Sequence, residues 1–246
     1  MNSEDKKLLV PSWYPALSSY TWDTRFVKLT PEAVAMFADG NGECSGELLY
    51  SPVAKSLMHD LETPLTAIRG NAFVFADSCA PTDTERFAAK GGAVYSARSA
   101  VNTLLQSKKV SAAARRGEME YICIRPYRNI TLAREFRLFI YEGQLSAMSQ
   151  YHLIRHFRRL EGVKANYWEL AERFVKEISW KLPQQTVVMD IYITSGQEIL
   201  IVDLNPWGGE TDPLMLFTWD RDWSKPAGIQ LMAPPTAVSG DVKVSF

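Results

Sequence analysis

A chain of 246 residues holds one large domain or two small lobes. Its 46% hydrophobic and 22% charged residues are ordinary for a globular protein, and a net charge of −1 gives no global electrostatic case for nucleic acid or an anionic membrane. Cys44, Cys79 and Cys123 are odd in number, widely spaced and without a CxxC pair, and neither a signal-peptide apolar core nor a run of about 18 apolar residues is present, so a reducing compartment, the cytoplasm, is the expected location.

The opening segment, SWYPALSSYTW, is rich in aromatics and loop formers. RFVKL then reads as a strand and PEAVAMFADG as a helix, with Thr30 as N-cap, Pro31 in the first helical position and Gly40 as the stop. Residues 41–52 read as a turn-rich loop, and 53–67 as a helix in which Pro64 argues for a break. NAFVFAD (71–77) is a short apolar strand, and SCAPTDTERF is a loop leading toward a helix. Residues 97–107 have helical spacing at Ala100, Leu104 and Leu105. The basic, small-residue stretch KKVSAAARRG (108–117) reads as a solvated connection between lobes. MEYICIRPY (119–127) is a strand, and EFRLFIYEGQLSAMSQY is a hairpin turning at Glu142-Gly143. An amphipathic helix over 165–179 precedes a second hairpin, TVVMDIYITSGQEILIVDLNP, turning at Ser195-Gly196. Helices mix with antiparallel hairpins, so the expected class is α+β.

The second hairpin carries the chemistry. On a strand, Asp203 and Asn205 project to one face and Leu204 turns the other way into a core. Pro206 keeps the preceding residue extended, and Gly208 and Gly209 release the chain into a turn. Asp190 lies at a distance from the turn comparable with that of Asp203. Two carboxylates facing each other in a mostly buried hairpin need a cation. Asp190, Asp203 and Asn205 offer the all-oxygen shell that magnesium prefers; the other reading is a polar network with Arg137. Arg125 and Arg137 stand in strands that otherwise look buried, and phosphate is a natural partner for a buried guanidinium. Arg128 and Arg134 read as more solvated. No P-loop and no GxGxxG motif occurs. His152 and His156 are four apart, without the Glu or Cys of a zinc pattern.

SWYP (12–15), PEAVAMFADG, APTD (80–83), RPY (125–127), EFRLFI (135–140), SQ (149–150), MDIY (189–192), VDLNPWGGETDPL (202–214) and LFTWD (216–220) occur in order over nearly the whole chain. This pattern resembles the cell division cycle protein 123 family. The resemblance implies an ATP-grasp fold, with ATP bound between the antiparallel sheets of two α+β lobes, 1–118 and 119–246. Asp190, Asp203 and Asn205 would bind magnesium, and Asp190 and Asp203 would thereby contact the nucleotide. Arg125 would face phosphate, and Arg137, the catalytic candidate, would contact the γ-phosphate or substrate region. The backbone of Arg125, Pro126 and Tyr127 would meet adenine, with Arg128 beside it. Three positions depart from the family pattern: Phe75 and Pro126 replace cationic residues, and Tyr151 replaces an Arg after SQ. The acidic insertion of eukaryotic members is absent, so a compact bacterial or viral relative is expected.

The first functional expectation is ligase-type transfer, with ATP and magnesium activating a carboxylate as an acylphosphate for attack by an amine. The alternative is an ATP-dependent assembly chaperone that grips a partner like the gamma subunit of translation initiation factor two. Exposed aromatics of SWYPALSSYTW and PWGGETDPLMLFTWDRDW would serve as contacts, unless they are core. A second alternative is a degenerate scaffold, for which Phe75 and Pro126 argue.

Overall fold

Thr30 starts the first predicted helix as its sequence implies: its hydroxyl accepts a hydrogen bond from the Ala33 amide at 3.2 Å. Pro31 occupies the first turn and Gly40 closes the helix. The computed structural model describes residues 4–40 and 46–235. Cys44 and the 41–45 part of the expected loop lie outside them; Cys79 and Cys123 are free thiols.

The elements follow in chain order: α1 (Val10–Leu17), β1 (Arg25–Lys28), α2 (Pro31–Asp39), α3 (Gly46–Tyr50), α4 (Pro52–Thr66), β2 (Ala72–Ala76), α5 (Glu85–Lys90), β3 (Ala93–Val94), α6 (Ala97–Leu105), α7 (Lys108–Arg115) and β4 (Tyr121–Pro126). Then come β5 (Glu135–Tyr141), β6 (Gln144–Gln150), α8 (Arg158–Glu161), α9 (Lys164–Ile178), β7 (Val187–Ile193), β8 (Ile199–Asn205) and β9 (Gly228–Gln230). They form two sheets, ordered β1-β4-β2-β3 and β8-β7-β5-β6-β9. The chain divides into two units: Met1–Ile130 with Lys181–Gln184 and Leu200–Leu204, and Thr131–Trp180 with Gln185–Ile199 and Asn205–Phe246. Among the described residues no helix is long and apolar enough to cross a membrane.

In the first unit the pairings of β1, β4, β2 and β3 are antiparallel. Ala72, Val74 and Ala76 of β2 and Ile122 and Ile124 of β4 pack into a helical core with Phe37, Leu61 and Leu104. The intervening residues point to the other face, where Phe73 pairs with Arg125 and Phe75 with Cys123. One face therefore builds the core and the other carries Arg125.

Four sequence expectations change here. The opening aromatic stretch contains α1, with Pro11 in its first turn and Trp13 1% exposed, so Trp13 is core rather than a contact residue. Residues 46–50 of the expected loop form α3, and Pro64 does not break α4, because it falls in the last turn, where only one amide bond is lost. Residues 108–115, expected to be a solvated connection, form a helix that buries Val110, Ser111, Ala113 and Ala114. Its small side chains make a flat face that α2 approaches closely: Ser111 Oγ and Arg115 Nε both donate to the Ala38 carbonyl, at 3.3 and 2.8 Å. Ser107 caps this helix, accepting from the Val110 amide at 3.2 Å and donating to Asp83 Oδ1 at 2.6 Å. Ser107→Ala should therefore cost about 1–2 kcal/mol in chemical denaturation, the upper range for a cap because the site is fully buried.

Asp77 follows β2 and is 4% exposed. Its carboxylate accepts from the Glu120 amide through both oxygens, at 3.1 and 3.2 Å, and from the Tyr121 amide at 3.1 Å. Burial pushes its pKa from 3.8 up to about 6, against the pull of those backbone bonds. The folded state then binds the proton more tightly than the unfolded chain. This group's contribution is most favourable below the unfolded pKa and declines as pH rises toward the folded one, by at most about 3 kcal/mol. Asp77→Asn should accordingly gain stability relative to the wild type between pH 4 and 6. A flat difference in urea midpoints across that window would refute the shift.

In the second unit, β5 and β6 form the predicted hairpin. Glu142 and Gly143 both take positive φ, 50° and 75°, the two-residue turn that matches strand twist. β7 pairs antiparallel with β5, and β9 parallel with β6. On one face Tyr167 of α9 meets Phe136 edge-on, with centroids 5.6 Å apart. On the other, Val188, Phe139 and Ala147 form a cross-strand row beneath Trp223, which stacks on Phe139 at 5.4 Å. Trp207 and Trp219, half-buried, pack against this cluster, so Trp223 is a core residue and the other two flank it.

Candidate functional site

The strand register that places Phe139 in the aromatic core places Arg137 on the same face, one step along. Arg137 is opposite Asp190 on β7 and Ser149 on β6. A charged row, Asp190–Arg137–Ser149, thus borders an apolar row, Val188–Phe139–Ala147. Arg137 and Asp190 are 7% exposed each. They meet in a bidentate ion pair, Nε to Oδ1 at 2.7 Å and Nη2 to Oδ2 at 2.9 Å. Nη1 donates to the Asp212 carbonyl at 2.7 Å, and the guanidinium lies 5.4 Å from the Tyr151 ring centre. Burial pulls the Arg137 pKa down, but the Asp190 bonds and charge outweigh it and the net direction is up. Asn205 donates its amide to Asp190 Oδ2 at 2.9 Å.

Arg137 and Asn205 line a cavity of about 400 Å³ with Tyr151, Pro206, Glu210, Thr211, Asp212 and Leu214. The loop that walls it is tightly folded. Thr211 Oγ1 donates to the Pro206 carbonyl at 2.6 Å, and Gly208 takes φ 107°, which a side chain would resist. Leu214 and Phe217 hold φ of 53° and 61°, a cost of order 1–3 kcal/mol each that only a fixed surrounding sustains. Met215 N donates to Ser149 Oγ at 3.1 Å, which ties this strained loop to the charged row.

Of the two readings open for Asp190, the structure realises the arginine: Arg137 supplies the neutralising charge. Three of the five guanidinium N–H groups are used in the bonds described, and two remain for an anionic ligand. Asp190 uses three of about four acceptor positions, and Asn205 keeps its carbonyl oxygen. The donors suit a hard cation in kind, although Asp190 already has a counter-charge. Among the described residues no group of three or more His, Cys, Asp or Glu could hold a metal ion; the expected set counts two carboxylates and an amide.

Within the first unit, Arg125 is 6% exposed. Its Nε donates to Thr24 Oγ1 at 2.9 Å and Nη1 to the Val202 carbonyl at 3.0 Å. The guanidinium lies over the Phe75 ring at 4.7 Å and near Trp22 at 5.8 Å. Phe75, at a position where the family pattern has a cation, thus serves as a platform for one. Nη2 is buried with no hydrogen-bond partner among the described residues. Burial pulls the Arg125 pKa down, and the Asp203 carboxylate works in the opposite direction. Asp203 Oδ1 accepts from the Leu204 amide at 2.9 Å, and Leu204 is buried as its alternation implies. Pro126 ends β4 opposite Ala72. Tyr127 N donates to the Asn71 carbonyl at 2.9 Å. Its hydroxyl fills the space beside Gly91, where a Cβ would come within 2.6 Å and φ is +60°. Arg128 is exposed.

The candidates therefore fall into two groups: Arg137, Asp190 and Asn205 in the second unit, and Arg125, Pro126, Tyr127, Arg128 and Asp203 in the first. Sequence reasoning missed Thr24 and Trp22, which position Arg125, and Thr211 and Asp212, which wall the cavity. The visible signals among them were Trp22, within SWYPALSSYTW, and Thr211 and Asp212, within VDLNPWGGETDPL. His152 and His156 bond to the Glu135 carboxylate and the Met232 carbonyl.

The model of the D123 family matches residues 94–224, more than half of the chain and both groups of candidates. The chain belongs to the D123 family. Cell division cycle protein 123 of Candida glabrata is 33% identical over 102 residues, 41% of this chain and 28% of that protein. The translation initiation factor eIF2 assembly protein of Xenopus tropicalis is 31% identical over 107 residues, 42% of this chain and 32% of that protein. These matches span less than a third of the relatives' own length. The structure of Cdc123 from Schizosaccharomyces pombe superposes with a TM-score of 0.76 at 18% identity, covering 89% of this chain and 90% of that one. The D123 fold is thus present over nearly the whole chain, and both the family and the α+β class expected from the sequence are borne out.

Proposed function

We propose that this chain binds ATP with magnesium in an ATP-grasp-type site and acts as an assembly factor for a partner resembling translation initiation factor two, with the cytoplasm as its location. The observation that carries the reading is the match to proteins named eIF2 assembly protein; Arg125, Arg137, Asp190, Asp203 and Asn205 all fall within residues 94–224, which the D123 family model matches. Those names favour assembly over the ligase-type transfer that the sequence put first.

In this reading each residue has a defined task. Arg125 presents a buried, unpartnered N–H to an anionic oxygen, where a low dielectric strengthens the contact. Arg137 stays locked to Asp190 and offers its two remaining N–H groups, so it positions charge rather than moving a proton. Asp190 and Asn205 offer oxygen ligands suited to a cation in the second unit, Asp203 offers a carboxylate near Arg125 in the first, and Tyr127 with the backbone around Pro126 receives the base. Bound magnesium nucleotide would supply fixed charge and order at this surface.

Calorimetric titration of ATP with magnesium into wild type and Asp203→Ala tests the nucleotide half, and titration of a purified initiation factor two gamma subunit, with and without ATP, tests the assembly half. Expected are nucleotide binding that the substitution abolishes, and stoichiometric partner binding strengthened by ATP. ADP release without the partner would restore the ligase-type reading. Partner binding with no nucleotide bound by the wild type would sink the ATP half and leave a scaffold.

A further inference from the structure

A second cavity of about 500 Å³ in the second unit lies outside the groups described above. Its floor is apolar, from Leu132, Ala133 and Phe157. Its rim carries Arg155, Arg158 and Arg159, all exposed, and among the described residues no carboxylate lines it. The whole chain has a net charge of −1, so this cation cluster is local rather than a reflection of composition.

The rim is held in place. Gln150, 1% exposed, donates through Nε2 to the His152 and Arg155 carbonyls at 2.6 and 3.0 Å. Its Oε1 accepts from the Met232 amide at 3.3 Å, and His156 Nδ1 meets the Met232 carbonyl at 2.8 Å. A buried glutamine thus pins the arginine loop to the segment that follows β9. Beside the rim, Leu153 and Ile154 are 38% and 72% exposed, which extends the apolar contact area.

The geometry points to an acidic peptide segment of a protein partner as the occupant, with one apolar side chain seated on the Leu132–Ala133–Phe157 floor and flanking carboxylates on the three arginines. Concavity and an apolar floor suit a side-chain anchor. Exposed arginines suit carboxylates, bidentately and with fast, steered association. A nucleic-acid strand fits less well. It needs a row of aromatic platforms for successive bases, and among the described lining residues only Phe157 and His156 carry rings, with His156 turned to the Met232 carbonyl. Free phosphate leaves the apolar floor unused. The class of partner follows from this cavity alone; its identity as the assembled initiation factor rests on the proposed function.

The test is fluorescence anisotropy with a labelled peptide in which one Leu is flanked by Glu runs, titrated with the full chain. Binding is expected to weaken about tenfold for Arg158→Glu/Arg159→Glu and for Leu132→Asp, with unchanged melting temperatures. It should also weaken when the peptide's Glu residues become Gln, when its Leu becomes Ala, and as salt rises. No binding, binding indifferent to the Leu, or tighter binding of single-stranded RNA would each overturn the proposal. The purified gamma subunit separates this proposal from the functional reading. If the gamma subunit binds undiminished to both variants, the assembly role stands and the cavity is not its contact. Peptide binding without gamma-subunit binding keeps the cavity and removes the assembly role.

Discussion

Arg137→Ala should destabilise the second unit by about 3–5 kcal/mol, because it strands a buried carboxylate. The two side chains are 8% and 10% exposed, so water cannot replace the lost guanidinium at Asp190 without opening the sheet. The residue also ties the Asp212 carbonyl to β5, so truncation loosens the strained loop over the cavity as well. Chemical denaturation measures the loss. Asp190→Ala should cost a similar amount, and the double variant much less than the sum, since the second substitution removes the charge that the first left unpaired. Replacing the pair by Met and Leu should be close to neutral. A loss under about 1 kcal/mol for Arg137→Ala would mean that Asp190 reaches solvent or another cation, and the ion pair would not be what organises this row.

What the sequence could reveal here depended on side-chain size. The β5–β6 hairpin was legible because large apolar residues alternate and Glu142-Gly143 can take positive φ at both positions. The α2 helix was legible from Thr30, Pro31 and Gly40. The α7 helix was not, although its small residues and its basic residues do fall on opposite faces: Val110, Ser111, Ala113 and Ala114 form the buried one, and a stretch of basic and small residues has the composition of a solvated loop. Asp190 was legible as a buried acid in need of a counter-charge, but that Arg137 stands opposite it is decided by cross-strand register, which no local pattern encodes. The basic cavity escaped notice for the same reason: residues 131–133 and 155–159 are distant in sequence and meet only in the fold. The run Arg-His-Phe-Arg-Arg was its one visible sign, and His156 drew attention only as a possible zinc ligand.

Arg125→Met should separate stability from ligand binding. As it stands, Arg125 is a desolvated charge that receives two neutral acceptors, two aromatic faces and no partner for Nη2. Such a group carries a desolvation penalty and an unsatisfied donor, and an apolar replacement of similar length removes both. The Phe75 and Trp22 rings can pack against a thioether as they do against the guanidinium. Asp203 loses a nearby charge but is only partly buried, so its cost is small. Net stability should therefore stay within about 1 kcal/mol of the wild type. ATP affinity, in contrast, should fall about a hundredfold or more, the range for truncating one partner of a buried charged contact. Calorimetry and denaturation on the same preparation give both numbers. Unchanged affinity would make Arg125 a structural residue and remove the phosphate contact from the proposed site. A large loss of stability would mean that Thr24, the Val202 carbonyl and Asp203 need this charge even without a ligand, and the unpartnered N–H would then be tolerated strain rather than a place held for phosphate.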